Sequence, residues 1–104
     1  MIITAFIKFP GEAPDEIEVP GDRAGLRALL GGEIEVDYCE KLRILSCRDA
    51  KRMGMEYNCR PGFTYYGTVV FVGAEDECGE FADVPMDFDE FQQKFRELFE
   101  EEIE

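Results

Sequence analysis

Phe88, Phe91, Phe95, Leu98 and Phe99 recur near the C-terminus at spacings that fall on one face of a helix. Asp87, followed three residues later by Glu90, makes a capping-box-like start, so the pattern predicts a helix from Asp87 to about Ile103. Five large apolar side chains on one stripe must be covered, and each contributes about 1.5 to 3 kcal/mol when buried. Core packing is the favoured role for the stripe, a partner groove the lesser one. The segments that precede it are of strand type, so the cover is a sheet.

Ile2 to Lys8 is a short apolar run closed by Pro10-Gly11 and reads as a buried first strand. Glu16-Ile17-Glu18-Val19 alternates and stops at Pro20-Gly21, as an edge strand does. Asp22 is a plausible N-cap for a short helix carrying Leu26, Leu29 and Leu30, weakened by Gly25 and stopped by Gly31-Gly32. Glu33 to Tyr38 alternates strictly, and Leu42 to Cys47 repeats the pattern across a turn at Cys39 to Lys41, predicting a β-hairpin. Arg48 to Phe63, with Gly54, Asn58, Pro61 and Gly62, reads as a long irregular loop of the functional kind. Tyr65 to Val72 is the most β-prone segment and is expected to be one central strand, with Phe81 to Val84 a last short one before Pro85. The expected fold is α+β: one domain over residues 1–104, a small, mostly antiparallel sheet packed against a short helix and a C-terminal amphipathic helix.

At 104 residues and 45% hydrophobic, the chain suits one core and not two. Its longest apolar runs, such as Thr68 to Val72, are far below the roughly 18 residues that cross a bilayer. The N-terminal residues lack a basic leader and a small-residue cleavage site, which makes the cytoplasm the expected location. Cys39, Cys47, Cys59 and Cys78 follow no C-x-x-C spacing, and histidine is absent, so four reduced thiols and no metal or other cofactor are expected. Without histidine there is no ordinary Ser-His or Cys-His nucleophile, and no G-x-S-x-G, Walker A or dinucleotide fingerprint occurs. The chain therefore reads as a binding protein, with no catalytic residues to name.

Gly31-Gly32-Glu33-Ile34-Glu35-Val36, the hairpin, the Asp49 to Asn58 stretch and Gly67-Thr68-Val69-Val70-Phe71-Val72-Gly73 occur in that order. In this the chain resembles a small uncharacterised domain family found in phages, plasmids and integrative conjugative elements of Gram-positive bacteria, often near antirestriction genes. The resemblance covers roughly residues 16 to 97; where the family has Asn-Glu at the loop start, this chain has Cys47-Arg48-Asp49. It implies a mobile-element origin and brings no established activity or site residues.

Charge is the remaining signal. The net charge is −13, distributed as −6 over residues 1–40, +4 over 41–60 and −11 over 61–104. Glu33, Glu35 and Asp37 share one face of a strand, about 6.6 to 6.8 Å apart, close to the spacing of phosphates along a nucleic acid. Glu75, Asp76, Glu77, Glu80 and Asp83 extend the array, as do Asp87, Asp89 and Glu90 and the helix acids Glu97, Glu100, Glu101, Glu102 and Glu104. Such a surface can fill the basic channel of a host nucleic-acid-binding defence protein, a CRISPR effector or restriction nuclease, as a stoichiometric nucleic-acid mimic. On this reading the chain binds no nucleic acid itself and no membrane, and its oligomeric state is open. For any single cluster the plainer role, a solvated face, is favoured. The alternative is an accessory module or nucleotide-signal sponge that grips its ligand through Arg48, Lys51, Arg52, Tyr57, Asn58 and Arg60, with Phe63 for stacking. Against it stands internal charge balance, in which those cations pair with the acidic ends.

Overall fold

The computed structural model describes the backbone of residues 1–60 and 64–101 and, in the last helix, side chains as far as Phe95. The elements are β1 (Ile2–Lys8), β2 (Asp15–Pro20), α1 (Arg23–Leu30), β3 (Ile34–Cys39), β4 (Leu42–Cys47), β5 (Tyr57–Cys59), β6 (Tyr65–Tyr66), β7 (Val69–Val72) and α2 (Phe88–Glu101). Five strands pair antiparallel in the order β2-β1-β7-β4-β3, and β5 and β6 form a separate two-stranded sheet. The expected α+β class holds. Phe63, the side chains of Glu97, Leu98, Phe99, Glu100 and Glu101, and the helix end near Ile103 lie outside the described residues.

Alternation along the strands sends side chains to two opposite layers. Ile3, Ala5, Ile7, Val19, Ile34, Leu45, Val70 and Val72 close on Leu26 and Leu30 of α1 and on Phe81. Phe6, Leu42, Ile44, Val69 and Phe71 close on Phe91 and Phe95 of α2, with Cys59 and Tyr65 from the small sheet. The Phe91 ring lies 4.6 Å from Phe6 and 4.7 Å from Phe71, so α2 is held by aromatic contacts in its first turn. Both faces of the sheet are therefore covered, and β7 is buried along its whole length.

The short helix begins as its sequence suggests. Asp22 Oδ1 accepts from the Gly25 amide at 3.0 Å, and Gly31 ends the helix in the left-handed region at φ 84°. Gly25 is more than a weak point, because a Cβ there would lie 2.6 Å from the Pro20 ring and 2.8 Å from Asp22 Oδ1. The helix links β2 and β3 at opposite edges of the sheet and touches β2, β3 and β4 on the way.

Three expectations change. Tyr65 to Val72 is two strands: Gly67, at φ 74°, turns the chain and donates its N–H to Glu56 at 2.7 Å, which hands Tyr65 and Tyr66 to β5. The stretch from Arg48 onward, expected to be irregular, contains β5. Phe81 to Val84 makes one isolated bridge, Glu75 to Phe81, and no strand. That segment is nonetheless stitched between β1 and the end of β7, through Val84 N–H to Thr4 O at 3.0 Å and Gly73 N–H to Ala82 O at 2.9 Å.

Candidate functional site

The strand acids do not stand as a row of bare carboxylates. Glu33 is bonded to Arg27 at 2.5 Å and Glu35 to Arg48 at 3.0 Å. Asp37 is half-buried and accepts the Tyr65 hydroxyl at 2.8 Å. Its alternation places it on the face of the α2 layer, against which Cys39 of the same strand packs. Burial, and then the bond to Asp37, push the Tyr65 hydroxyl well above the ordinary phenol range.

The second group of acids is spread over one turn and its flanks. Glu75 pairs with Arg43 at 2.9 Å, and its carboxyl is held below the usual range, first by its own backbone N–H and then by Arg43. Asp76 Oδ1 accepts from the Cys78 and Glu80 amides at 2.8 and 3.0 Å, so this acid builds its own turn. Asp83 accepts the Thr4 N–H at 2.8 Å. Glu77 and Glu80 have no side-chain partner among the described residues.

The structure adds acids that the sequence reading left out of the set. Register places Glu16 opposite Phe6 and Glu18 opposite Thr4, on the face that carries α2. The Phe6 ring meets Phe88 at 5.3 Å, and Asp87 caps the helix by accepting the Glu90 amide at 2.8 Å. Glu16, Glu18, Asp83 and Asp87 thus gather around the start of α2. The signal was present in the alternation of residues 16–19, read as a strand edge and not as part of the charged surface.

The basic stretch is built differently from a ligand grip. Arg48 is engaged with Glu35, Arg52 lies 3.1 Å from Asp49, and Lys51 sits 5.8 Å above the Tyr66 ring. Asn58 is buried, donating to Lys8 O at 2.7 Å and Gly67 O at 2.6 Å while accepting from Lys8 Nζ at 3.0 Å. Its amide is fully used in joining β5 to β1. Tyr57 is 40% exposed and meets Tyr66 edge-on at 5.9 Å, and Arg60 is exposed with its interactions inside the chain.

An open recess of about 380 Å³ lies between the β3–β4 turn and α2, lined by Cys39, Glu40, Lys41, Pro85, Met86, Glu90 and Lys94. Glu40, in the left-handed region at φ 57°, reaches Lys94 at 2.6 Å across it. That hydrogen bond lowers the carboxyl's pKa and raises the ammonium's. The four cysteines are free thiols, and burial pushes Cys59 up to about 11. Among the described residues no cluster of His, Cys, Asp or Glu is placed to hold a metal, and no helix is long and apolar enough to cross a membrane.

Fold and surface together define a small α+β scaffold: an antiparallel sheet covered on both faces, with its charge carried on turns and edges. The chain belongs to the family described as a domain of unknown function, DUF3846, which it matches over residues 3–100. No curated protein and no solved structure matches it.

Proposed function

We propose that this protein acts without chemistry of its own, by laying an acidic surface against a cationic region of another macromolecule. One observation carries the reading. At least five of the eleven Lys and Arg side chains are neutralised by acids of the same chain, while exposed Glu16, Glu18 and Glu77 and half-buried Glu80 have no cationic partner among the described residues. What a partner meets is the uncompensated remainder of a −13 charge.

The finer reading is an anti-defence protein of a mobile element in the bacterial cytoplasm, which fills the nucleic-acid channel of a CRISPR effector or restriction nuclease in one-to-one fashion. The resemblance to phage and plasmid domains supports it, as does the excess of acid. The pairing of Glu33 and Glu35 with arginines moves the weight from a phosphate-spaced row on β3 to the whole acidic surface. Nucleotide binding at residues 48–60 is the weaker alternative, because Arg48 and Arg52 are paired with acids and Asn58 is spent in the fold.

The test has two stages. Partners are recovered from bacterial lysate and identified, and each is then titrated with the purified protein in the presence of duplex DNA and rising salt. The reading expects nucleic-acid-binding partners, competition by DNA, and affinity that falls steeply with salt. Partners indifferent to both DNA and salt sink it.

A further inference from the structure

The five-stranded sheet has two edges, β2 and β3, and the fold treats them oppositely. In an antiparallel ladder, residues alternate between those that exchange backbone bonds with the neighbouring strand and those that point their N–H and C=O away. The phase of β3 is set twice. The Arg48 N–H donates to Glu33 O at 2.8 Å, and the two-residue turn Glu40-Lys41 is closed by the pair Cys39 and Leu42. Both make Glu35 with Ser46 and Asp37 with Ile44 the bonded pairs. Ile34, Val36 and Tyr38 therefore turn their backbone groups outward.

Of those outward groups, the Ile34 carbonyl receives Arg48 Nη2 at 3.3 Å. The rest have no partner among the described residues, and β3 carries no proline and no bulge. On β2 the Gly21 N–H bonds Met1 O at 2.9 Å, so the outward residues there are Glu16, Glu18 and Pro20. Pro20 has no N–H, and the Glu16 N–H is taken by Asp15 Oδ1 at 2.9 Å. One edge is blunted in the manner of natural sheets, and the other is left able to pair.

We propose that the outer edge of β3 is a docking strand that adds an extended basic segment of a partner chain to the sheet. Charge selects the occupant. A second copy paired antiparallel about Val36 would set Glu35 against Asp37 of the copy on both sides, like charges directly opposed. A segment with Lys or Arg at every second position reverses the sign at each of those contacts and brings apolar residues to Ile34, Val36 and the 65%-exposed Tyr38. The chain's own Arg48 already shows the contact, holding the Glu35 carboxylate and the Ile34 carbonyl together. It is an exposed pair, which an incoming cation replaces at little cost. The docking strand rests on the reading that the acidic surface meets a cationic partner, and it says where and in what backbone form.

The probe is a short synthetic peptide alternating valine with lysine, read by amide hydrogen exchange and chemical shifts of the full chain. At about ten times its Kd the peptide should slow exchange at the Val36 and Tyr38 amides about tenfold. Valine alternating with glutamate, or the lysine peptide N-methylated along its pairing edge, should leave both amides unchanged. Arg48→Ala, which frees Glu35 and the Ile34 carbonyl, should tighten binding about two- to fivefold. If the N-methylated peptide binds as well and shifts Glu16, Glu18 or Glu77 instead, the docking strand is wrong while the acidic-surface reading stands. If no lysine peptide binds at low salt, both fall. Protection of Val36 and Tyr38 that grows with protein concentration and without peptide assigns the edge to a second copy and overturns the proposal.

Discussion

Asn58 separates a structural reading of the basic stretch from a ligand-binding one, because its side chain is buried and makes three hydrogen bonds. Asn58→Ala leaves the carbonyls of Lys8 and Gly67 without this donor and takes one acceptor from the Lys8 ammonium, itself only 7% exposed. A buried polar group that loses its partner costs about 1 to 3 kcal/mol, so the substitution should remove about 3 to 5 kcal/mol. Domains of this size have about 5 to 15 kcal/mol in all, and the loss is a large part of it. With a urea slope of about 2 kcal/mol/M, the unfolding midpoint followed by circular dichroism should fall by about 2 M. Hydrogen exchange should show the loss first in β5, β6 and the end of β1, which the amide ties together. A midpoint shift below about 0.5 M at unchanged slope would refute the reasoning. If that small shift came with lost nucleotide binding, Asn58 would be a ligand contact after all.

Gly73→Ala places a Cβ 2.2 Å from the Asp83 carbonyl, and no side-chain rotation relieves a backbone clash. The overpacking, at about 1 to 3 kcal/mol, should lower Tm by about 5 to 15 °C, and an unchanged Tm would mean that residues 81–84 are not pinned against β7. Tyr65 holds its proton more tightly in the folded chain than in the unfolded one, so its contribution is intact below the ordinary phenol pKa of 10.0 and is lost as pH rises above it. Stability measured by urea should decline above that pH, and Tyr65→Phe should flatten the alkaline limb at a cost of about 1 kcal/mol at neutral pH. In thiol titration of the native chain, exposed Cys78 should react first and Cys39 more slowly, whereas Cys47 and Cys59 should wait for unfolding. Rapid modification of Cys59 without loss of structure would contradict its burial and its raised pKa.

The elements that were legible in the sequence are those whose signal is local. Asp22, the leucines and Gly31 mark α1 within one short window, and the capped phenylalanines mark the start of α2. The hairpin was legible for the same reason, since strict alternation on both sides of a short turn fixes register. The break at Gly67 was not. Tyr, Thr, Val and Phe favour strand throughout residues 65–72, and nothing within that run shows that Tyr65 and Tyr66 pair backwards onto residues 57–59. The pairing depends on Asn58 reaching β1, a contact about fifty residues away in sequence. Phe81 to Val84 failed in the opposite sense: strand-like residues bond to β1 and the end of β7 without meeting a regular ladder.

Charge reads less well than hydrophobicity because a carboxylate's role depends on its neighbour and not on its own spacing. Glu33, Glu35 and Asp37 alternate as a wet face does, yet Arg27, Arg48 and Tyr65 reach them from a helix, a loop and the small sheet. Glu16 and Glu18 alternate in the same way and meet no cation, because the residues directly opposite them on β1 are Phe6 and Thr4 and the Lys8 ammonium is turned to Asn58. The backbone reverses this order. Asp15 and Pro20 blunt the edge beside the unpaired acids, whereas the edge beside the paired acids is left able to pair. A partner that needs only opposite charge is served best at β2, and one that also offers a strand is served at β3. The two surfaces are distinguishable because salt weakens both, whereas N-methylation of the partner segment removes the backbone bonds of the second alone.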